Sequence, residues 1–351
     1  MKGKILAKII IILLVLSILG WGKEQETQKS KKESSVTIVD STGRQVDIPK
    51  PLKRIVVLNT DAAEIICALS AEDRVVGVVD SVVEEDDFFK RLKGKPSVGR
   101  WNSPSFEKIV EVDPEVVIAY SRHPGPELEE KLEPTSIKVV RIDCYKIESL
   151  DSDVKALGVM LGKEKEAEEF VNFYRKYLKI IKTRLSSLSP EERVKVYVES
   201  YSDYTSVARG SGGHQICTMA GGINIAADEP VPYPKISAEW VLKKNPQIIV
   251  KAVTNSKAPS GYGVDEKGPL EKLRTEIMNR PGFSEIDAVK NNRVYLISAD
   301  IWTGPRAVIG IIQMAKWFYP GHFKDLNPKL IHRRYLERFL GLKYKGTFVY
   351  P

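Results

Sequence analysis

Residues Ser105–Ile118 (SFEKIVEVDPEVVI) and Ser237–Val250 (SAEWVLKKNPQIIV) align without a gap at an offset of 132 positions. Both read Ser-x-Glu, a pair of apolar residues, Asp/Asn-Pro, and then an apolar run. Serine is a favoured helix N-cap, and an acid in the first turn meets the positive end of the helix dipole. The Asp/Asn-Pro pair ends the helix and turns the chain into a strand. A helix–turn–strand unit that recurs in this detail predicts two related α/β lobes.

The rest of the chain has the same grain. Apolar β-branched runs at Arg54–Leu58, Val75–Val79, Val116–Tyr120 and Ile137–Ile142 read as strands of a first lobe. Val194–Glu199, Ile248–Val253 and Arg293–Ile297 read as strands of a second. Runs that are apolar on both faces suit parallel sheets covered by helices. Helical stretches fall between them, at about Asp61–Ser70, Ser105–Val112 and Pro126–Glu133, then Gly213–Ala220, Ser237–Lys244, Pro269–Asn279, Pro305–Phe318 and Pro328–Leu340. Between the two sets, Glu164–Leu188 holds no Pro or Gly. Apolar residues recur there every three or four positions, from Ala167 through Phe170, Val171, Tyr174, Tyr177, Leu178, Ile181 and Leu185 to Leu188, as one face of a helix requires. At ~1.5 Å per residue the segment spans roughly 37 Å, enough to run from one lobe to the other.

The formal net charge is +8, from 54 Lys and Arg against 46 Asp and Glu. This would suggest a nucleic-acid binder if the charge formed a stripe. Three of the charges are Lys2, Lys4 and Lys8, which precede the apolar run Ile9–Leu19. That is the pattern of an export signal, with Gly20 and Gly22 as small residues before a cleavage site. No Cys follows the run, so lipid attachment through a bacterial lipobox is not available. Lys23–Ser35 has no aliphatic or aromatic residue and reads as a disordered tether. The remaining charge is spread over more than 300 residues with no basic stripe and no recognition motif, which excludes a nucleic-acid function. Hydrophobic residues at 42% and charged residues at 28% are ordinary for globular domains. The three cysteines, Cys67, Cys144 and Cys217, have no CxxC spacing, and the sequence does not say whether any two are bridged. The expected organisation is an export signal or anchor at 1–22, a tether at 23–35, an N-terminal lobe at 36–150, the inter-lobe helix within 151–190 and a C-terminal lobe at 191–351.

Several short motifs, taken in order, resemble one family. They are Val36-Thr-Ile-Val-Asp-Ser-Thr-Gly43 with Lys53-Arg54-Ile-Val-Val-Leu58, then Glu64–Leu69 and Val76-Gly77-Val78, and Val98-Gly99-Arg-Trp101. Ala220-Gly221-Gly222-Ile-Asn224, Arg280-Pro281-Gly282-Phe283, Ala288–Tyr295 and Gly304-Pro305-Arg306 follow. From about Val36 to Leu340 the chain resembles the ABC-transporter substrate-binding proteins for iron chelates and cobalamin. The resemblance implies two Rossmann-like lobes with central parallel sheets, one rigid helix joining them and a ligand in the cleft between. It implies a partner, the ABC permease dimer with its ATPase subunits, docked by one exposed glutamate on each lobe. The matching positions are Glu107 and Glu239. It also implies a monomeric, extracytoplasmic binding protein rather than an enzyme, with no resident cofactor.

Parallel α/β lobes take ligands beyond the carboxyl ends of their strands. The candidates there are Asn59, Thr60, Arg100, Trp101 and Arg122 in the first lobe, and Tyr201, Tyr204, Arg209, Tyr233, Trp302 and Arg306 in the second. Aromatic faces give large contact area at low entropy cost, and arginine grips carboxylate or phosphate in a bidentate way. Such a set suits a bulky chelate carrying acids, a ferric siderophore or another iron complex, with cobalamin or haem as alternatives. Trp101 and Tyr233 each lie six residues before a repeat glutamate, where cobalamin-binding relatives place ligand-facing aromatics. Gly210–Gly213 lacks the Gly-Lys-Ser/Thr ending of a phosphate loop. No HExxH or G-x-S-x-G occurs, and His123, His214, His322 and His332 form no spaced metal set. An enzyme and a bare-metal site are therefore the weaker readings.

Overall fold

The structure, a computed structural model, describes residues 34–351. The expected export signal lies outside the described residues, as does the expected tether up to its last two residues. Ser34 and Ser35 already belong to β1 (Ser34–Val39), which forms a two-stranded sheet with β2 (Gln45–Lys50). No helix among the described residues is long and apolar enough to cross a membrane.

The first lobe is built on β3 (Ile55–Val57), β4 (Val75–Val78), β7 (Val116–Ala119) and β8 (Lys138–Arg141). They lie in the order β4-β3-β7-β8, every neighbour parallel. The short pair β5 (Gly99–Arg100) and β6 (Ser103–Pro104) forms a hairpin on this lobe. The second lobe holds β9 (Lys195–Glu199), β10 (Ile223–Asn224), β11 (Ile248–Val253) and β13 (Val294–Ser298). Its order is β10-β9-β11-β13-β15, parallel except for β15 (Val349–Tyr350), which returns antiparallel on β13. A second pair, β12 (Gly261–Tyr262) and β14 (Gly346–Thr347), also involves the C-terminal tail. The strands β3, β7 and β11 are buried along their whole length, as continuous apolar runs in a doubly covered sheet must be.

The long helix runs from Glu164 to Leu185, about 33 Å at ~1.5 Å per residue. Its buried face carries Ala167, Phe170, Val171, Tyr174, Tyr177, Ile181 and Leu185. Phe170 and Phe173 meet Tyr335 and Phe339 of the C-terminal helices edge-on or tilted. At its start Glu164 pairs with Lys50 of β2, and near its end Arg184 pairs with Asp325. Sequence periodicity missed the helix Leu150–Leu161 just before it. That helix ends on Gly162, whose φ of 64° is the left-handed conformation glycine adopts without strain. The C-terminal strands were also missed, because two-residue pairings leave no period to read. All three cysteines are free and buried. Burial pushes the Cys67 thiol up to about 12, so it is inert as a nucleophile near neutral pH.

Candidate ligand-binding cleft

The carboxyl ends of the two parallel sheets meet across a cavity of about 260 Å³. The N-terminal lobe supplies Thr60, Asp61 and Glu64 from the helix Thr60–Ala68, with Glu85 and Phe89. The C-terminal lobe supplies Tyr201, which follows β9, and Ala299, Asp300, Thr303, Pro305 and Arg306, which follow β13. The strand-end rule therefore locates the cleft, while only part of its lining was expected.

Arg306 closes the back of the cavity. Its Nε donates to Glu64 Oε2 at 3.2 Å and an Nη to Asp300 Oδ2 at 3.2 Å. Its guanidinium stacks 4.3 Å from the Phe88 ring centroid. Tyr335 donates to the other Glu64 oxygen at 2.7 Å. Burial alone would lower the arginine, but Glu64 and Asp300 hold it above its ordinary range. Burial pushes Glu64 up, and Arg306 and Tyr335 only partly offset it. Arg306 thus lines the cavity where it was expected, with its guanidinium tying the lobes together through Glu64 and Asp300.

Asp61 accepts a 2.5 Å hydrogen bond from the Tyr120 hydroxyl. Its other oxygen lies so near Gly304 that a Cβ there would stand 2.4 Å away. Gly304, at φ 78°, is the residue that allows the lobes to approach so closely. Its N–H donates across the cleft to Tyr145 O at 3.4 Å. Burial, reinforced by the nearby Glu64 charge, raises Asp61 to about 7 despite the Tyr120 bond. Glu85 is raised by burial and by the Asp300 and Glu64 charges.

Trp101 sits in the turn of the β5–β6 hairpin and is 39% exposed. Its ring meets Tyr120 and His123 edge-on, at centroid distances of 5.8 and 5.4 Å. Tyr120 in turn meets Tyr145 at 5.7 Å. This cluster joins the mouth of the cleft to Asp61 on its floor. Tyr201 is 38% exposed and Tyr233 57%. Arg100 and Arg122 are exposed, and their side chains have no hydrogen bond or ion pair among the described residues.

The other expected contacts are placed differently. Asn59 is fully buried, caps the helix by accepting from Ala62 N at 2.6 Å and donates to Ile142 O at 3.1 Å. Trp302 is 3% exposed and lies against Gly213, where a Cβ would come within 2.6 Å of its ring. Tyr204 turns into its own lobe, with Arg280 4.4 Å over its ring and Phe283 edge-on. Arg209 is paired with Asp228 at 3.0 Å, both exposed. These four have packing or pairing partners where free contact surface was expected. Reasoning from sequence also missed Asp61, Glu64, Glu85 and Asp300. A signal existed for Asp61 and Glu64, one turn apart at the start of the helix that follows β3, and for Asp300 directly after β13.

The loop that carries Tyr201 rests on a buried ionic cluster. Lys251 Nζ lies 3.0 Å from Glu199 Oε1 and donates to Ser200 O and Tyr201 O at 2.7 and 3.1 Å. Arg280 is bidentate on Glu199 at 2.7 and 2.9 Å, and Tyr197 also donates to it. Burial alone would raise Glu199, but Arg280 and Lys251 hold it below the ordinary carboxylate range. At the opposite end of the repeat, Ser105 caps Phe106–Glu111 through Lys108 N and Ser237 caps Ala238–Lys244 through Trp240 N. Glu107 and Glu239 stand exposed in the two first turns.

Comparison with known proteins agrees with this architecture. The ABC transporter substrate-binding lipoprotein YvrC of Bacillus subtilis, itself uncharacterized, is 29% identical over 335 residues, covering 92% of this chain and 99% of that one. The vitamin B12-binding protein of Vibrio cholerae is 25% identical over 255 residues, 71% of this chain and 90% of its own. The crystal structure of the TroA-like periplasmic binding protein FepB from Veillonella parvula superposes with a TM-score of 0.74 at 25% identity, covering 90% of this chain and 99% of that one. The family model for periplasmic binding proteins matches residues 55–301. The chain belongs to the periplasmic binding protein family.

Proposed function

We propose that this chain is the extracytoplasmic substrate-binding component of an ABC importer and that its ligand is a metal chelate, a ferric siderophore or related iron complex. The observation that carries the reading is the inter-lobe cleft at the strand ends, lined by the partly exposed ring of Tyr201, with the exposed ring of Trp101 edge-on to Tyr120, which bonds Asp61 of the lining. The cavity is small, so the body of a chelate would rest on those rings while one end enters. A corrinoid is the second reading, favoured by similarity to a vitamin B12-binding protein. The work is binding and release, with energy supplied by the importer's ATPase subunits. Residues 1–22 direct export or anchor the chain, and 23–33, up to the start of β1, tether a monomer near its permease.

The test is a panel of ferric hydroxamates, ferric citrate, haem and cobalamin, read by quenching of tryptophan fluorescence. Trp101 is more exposed than the buried Trp302 and Trp317 and should dominate the change. Binding of one ligand class with no turnover supports the reading. Turnover of a small substrate without binding of any chelate replaces it with a secreted enzyme. Docking through Glu107 and Glu239 is tested by replacing both with alanine, which should abolish uptake and leave ligand affinity unchanged.

A further inference from the structure

The proposed cleft is a ligand site by its place between the lobes, and its chemistry adds a sign. Four carboxylates line the cavity, Asp61, Glu64, Glu85 and Asp300, against one cation, Arg306. That cation is committed to Glu64 and Asp300 and stacked on Phe88. Glu64 is satisfied at both oxygens by Arg306 and Tyr335. Asp300 has one oxygen engaged, by Arg306 and by Tyr262 N at 2.9 Å. Asp61 has one oxygen bonded, to Tyr120. The Glu85 side chain has no hydrogen bond or ion pair among the described residues. The cavity therefore offers surplus acceptors and no spare guanidinium. An anionic group entering it would meet uncompensated like charge at short range, where each unit interaction is worth kilocalories rather than tenths. The crowding is visible in the carboxylates themselves, since Asp61, Glu64 and Glu85 each hold their protons more tightly in part because another acid is near. Among the described residues no group of three or more His, Cys, Asp or Glu is placed to hold a metal ion. The complementary charge therefore belongs on an organic group.

We infer that the ligand enters this cavity with a cationic, amine-bearing end, and that carboxylate- or phosphate-rich chelates are selected against. The inference rests on the chelate reading above and reverses the expectation of an arginine-lined cleft for an acidic ligand.

Ferrioxamine B, a ferric trihydroxamate with a free ammonium, tests it against its N-acetylated, uncharged derivative and against ferric citrate. With the whole chain, the ammonium form should bind about tenfold tighter than the acetylated form, and ferric citrate weakest of the three. Glu85→Gln, which breaks no internal bond, should shrink the difference between the two ferrioxamines. Equal affinity of the two, or tighter binding of ferric citrate, overturns the inference while leaving the chelate reading intact. If neither ferrioxamine binds, spermidine decides without any chelate. It should raise the melting temperature of the wild type more than that of Glu85→Gln, and an equal rise in both overturns the inference. Failure of every chelate, haem and cobalamin, with a spermidine shift that depends on Glu85, rejects the chelate reading and keeps the sign of the cavity.

Discussion

The two repeat units are alike at one end and unlike at the other. In both, a serine caps a short helix, and the chain then turns through a left-handed residue before proline, Asp113 at φ 45° and Asn245 at φ 40°. Both then enter an inner strand of their sheet, β7 or β11. The likeness ends at the strand's carboxyl end, where Ala119 in β7 corresponds by the 132-residue offset to Lys251 in β11. The N-terminal lobe places its buried cation one strand over, at Arg141 of β8, which pairs in register with Ala119. Arg141 donates to Tyr120 O, Pro124 O and Gly125 O at 2.9, 2.5 and 3.0 Å and pairs with Glu129. Lys251 donates to Ser200 O and Tyr201 O and pairs with Glu199. Each lobe thus uses one buried, paired cation to hold the carbonyls of its cleft loop, placed on different strands. The capped, glutamate-bearing end keeps the repeat and the strand's carboxyl end does not, as the proposed docking of two equivalent surfaces on a symmetric partner and the proposed binding of one ligand between two unlike walls would require.

The anchors are where this comparison breaks most easily. Lys251→Ala leaves Glu199 with Arg280 and Tyr197 only and orphans two carbonyls, and should cost about 3 kcal/mol or more. Arg141→Ala orphans the Tyr120 and Pro124 carbonyls, leaves Gly125 O to Leu128 N alone and should cost a similar amount, both read from urea midpoints. If either variant is as stable as the wild type, that cation is not the anchor of its loop. Ala119→Lys should also destabilise strongly, because the new charge would lie beside Arg141 rather than beside an acid. If it is tolerated, the two strand ends are interchangeable after all.

The next effect separates the walls by pH. Asp61 titrates at about 7 in the folded chain, against an ordinary value of 3.8. Below about pH 4 both folded and unfolded states carry its proton. Between 4 and 7 only the unfolded state gives it up freely, so folding stability falls as pH rises through that window and levels off above it. Burial sets this first, with Glu64 and Asp143 adding to it and Tyr120 and Arg306 opposing it. Asp61→Asn should flatten part of the slope and raise stability at pH 8, measured by thermal unfolding. Glu64 and Glu85 supply the remainder with the same sign. A slope unchanged in Asp61→Asn would remove Asp61 from that account.

The smallest effect tests the likeness itself. Ser105→Ala and Ser237→Ala each remove one N-cap and should each cost about 1 kcal/mol. Costs that differ widely would mean that the two helices are not equivalent in context. Trp101→Ala should weaken ligand binding with little change in stability, since the ring is partly exposed at a hairpin turn.

Much of the scaffold was legible because its causes are local. Strand runs, serine caps, the prolines that end the repeat helices and the three-four spacing of the long helix all depend on residues within a few positions of one another. The place of Tyr201 in the cavity lining was legible for a similar reason, since it follows a strand. The partners of Arg306 and the burial of Trp302 were not. Whether Arg306 meets a ligand or a carboxylate depends on Glu64, which lies 242 positions earlier in the chain. Trp302 is buried because Gly213 leaves room for it.

By itself, then, the sequence determined two related α/β lobes joined by a long helix, with ligands expected at the strand ends, since periodicity, caps and repeats act at short range. Only the tertiary structure decided the sign of the cleft. Asp61 and Glu64 share one helix, but Asp300 and Arg306 reach them from the other lobe, and charge acts through space.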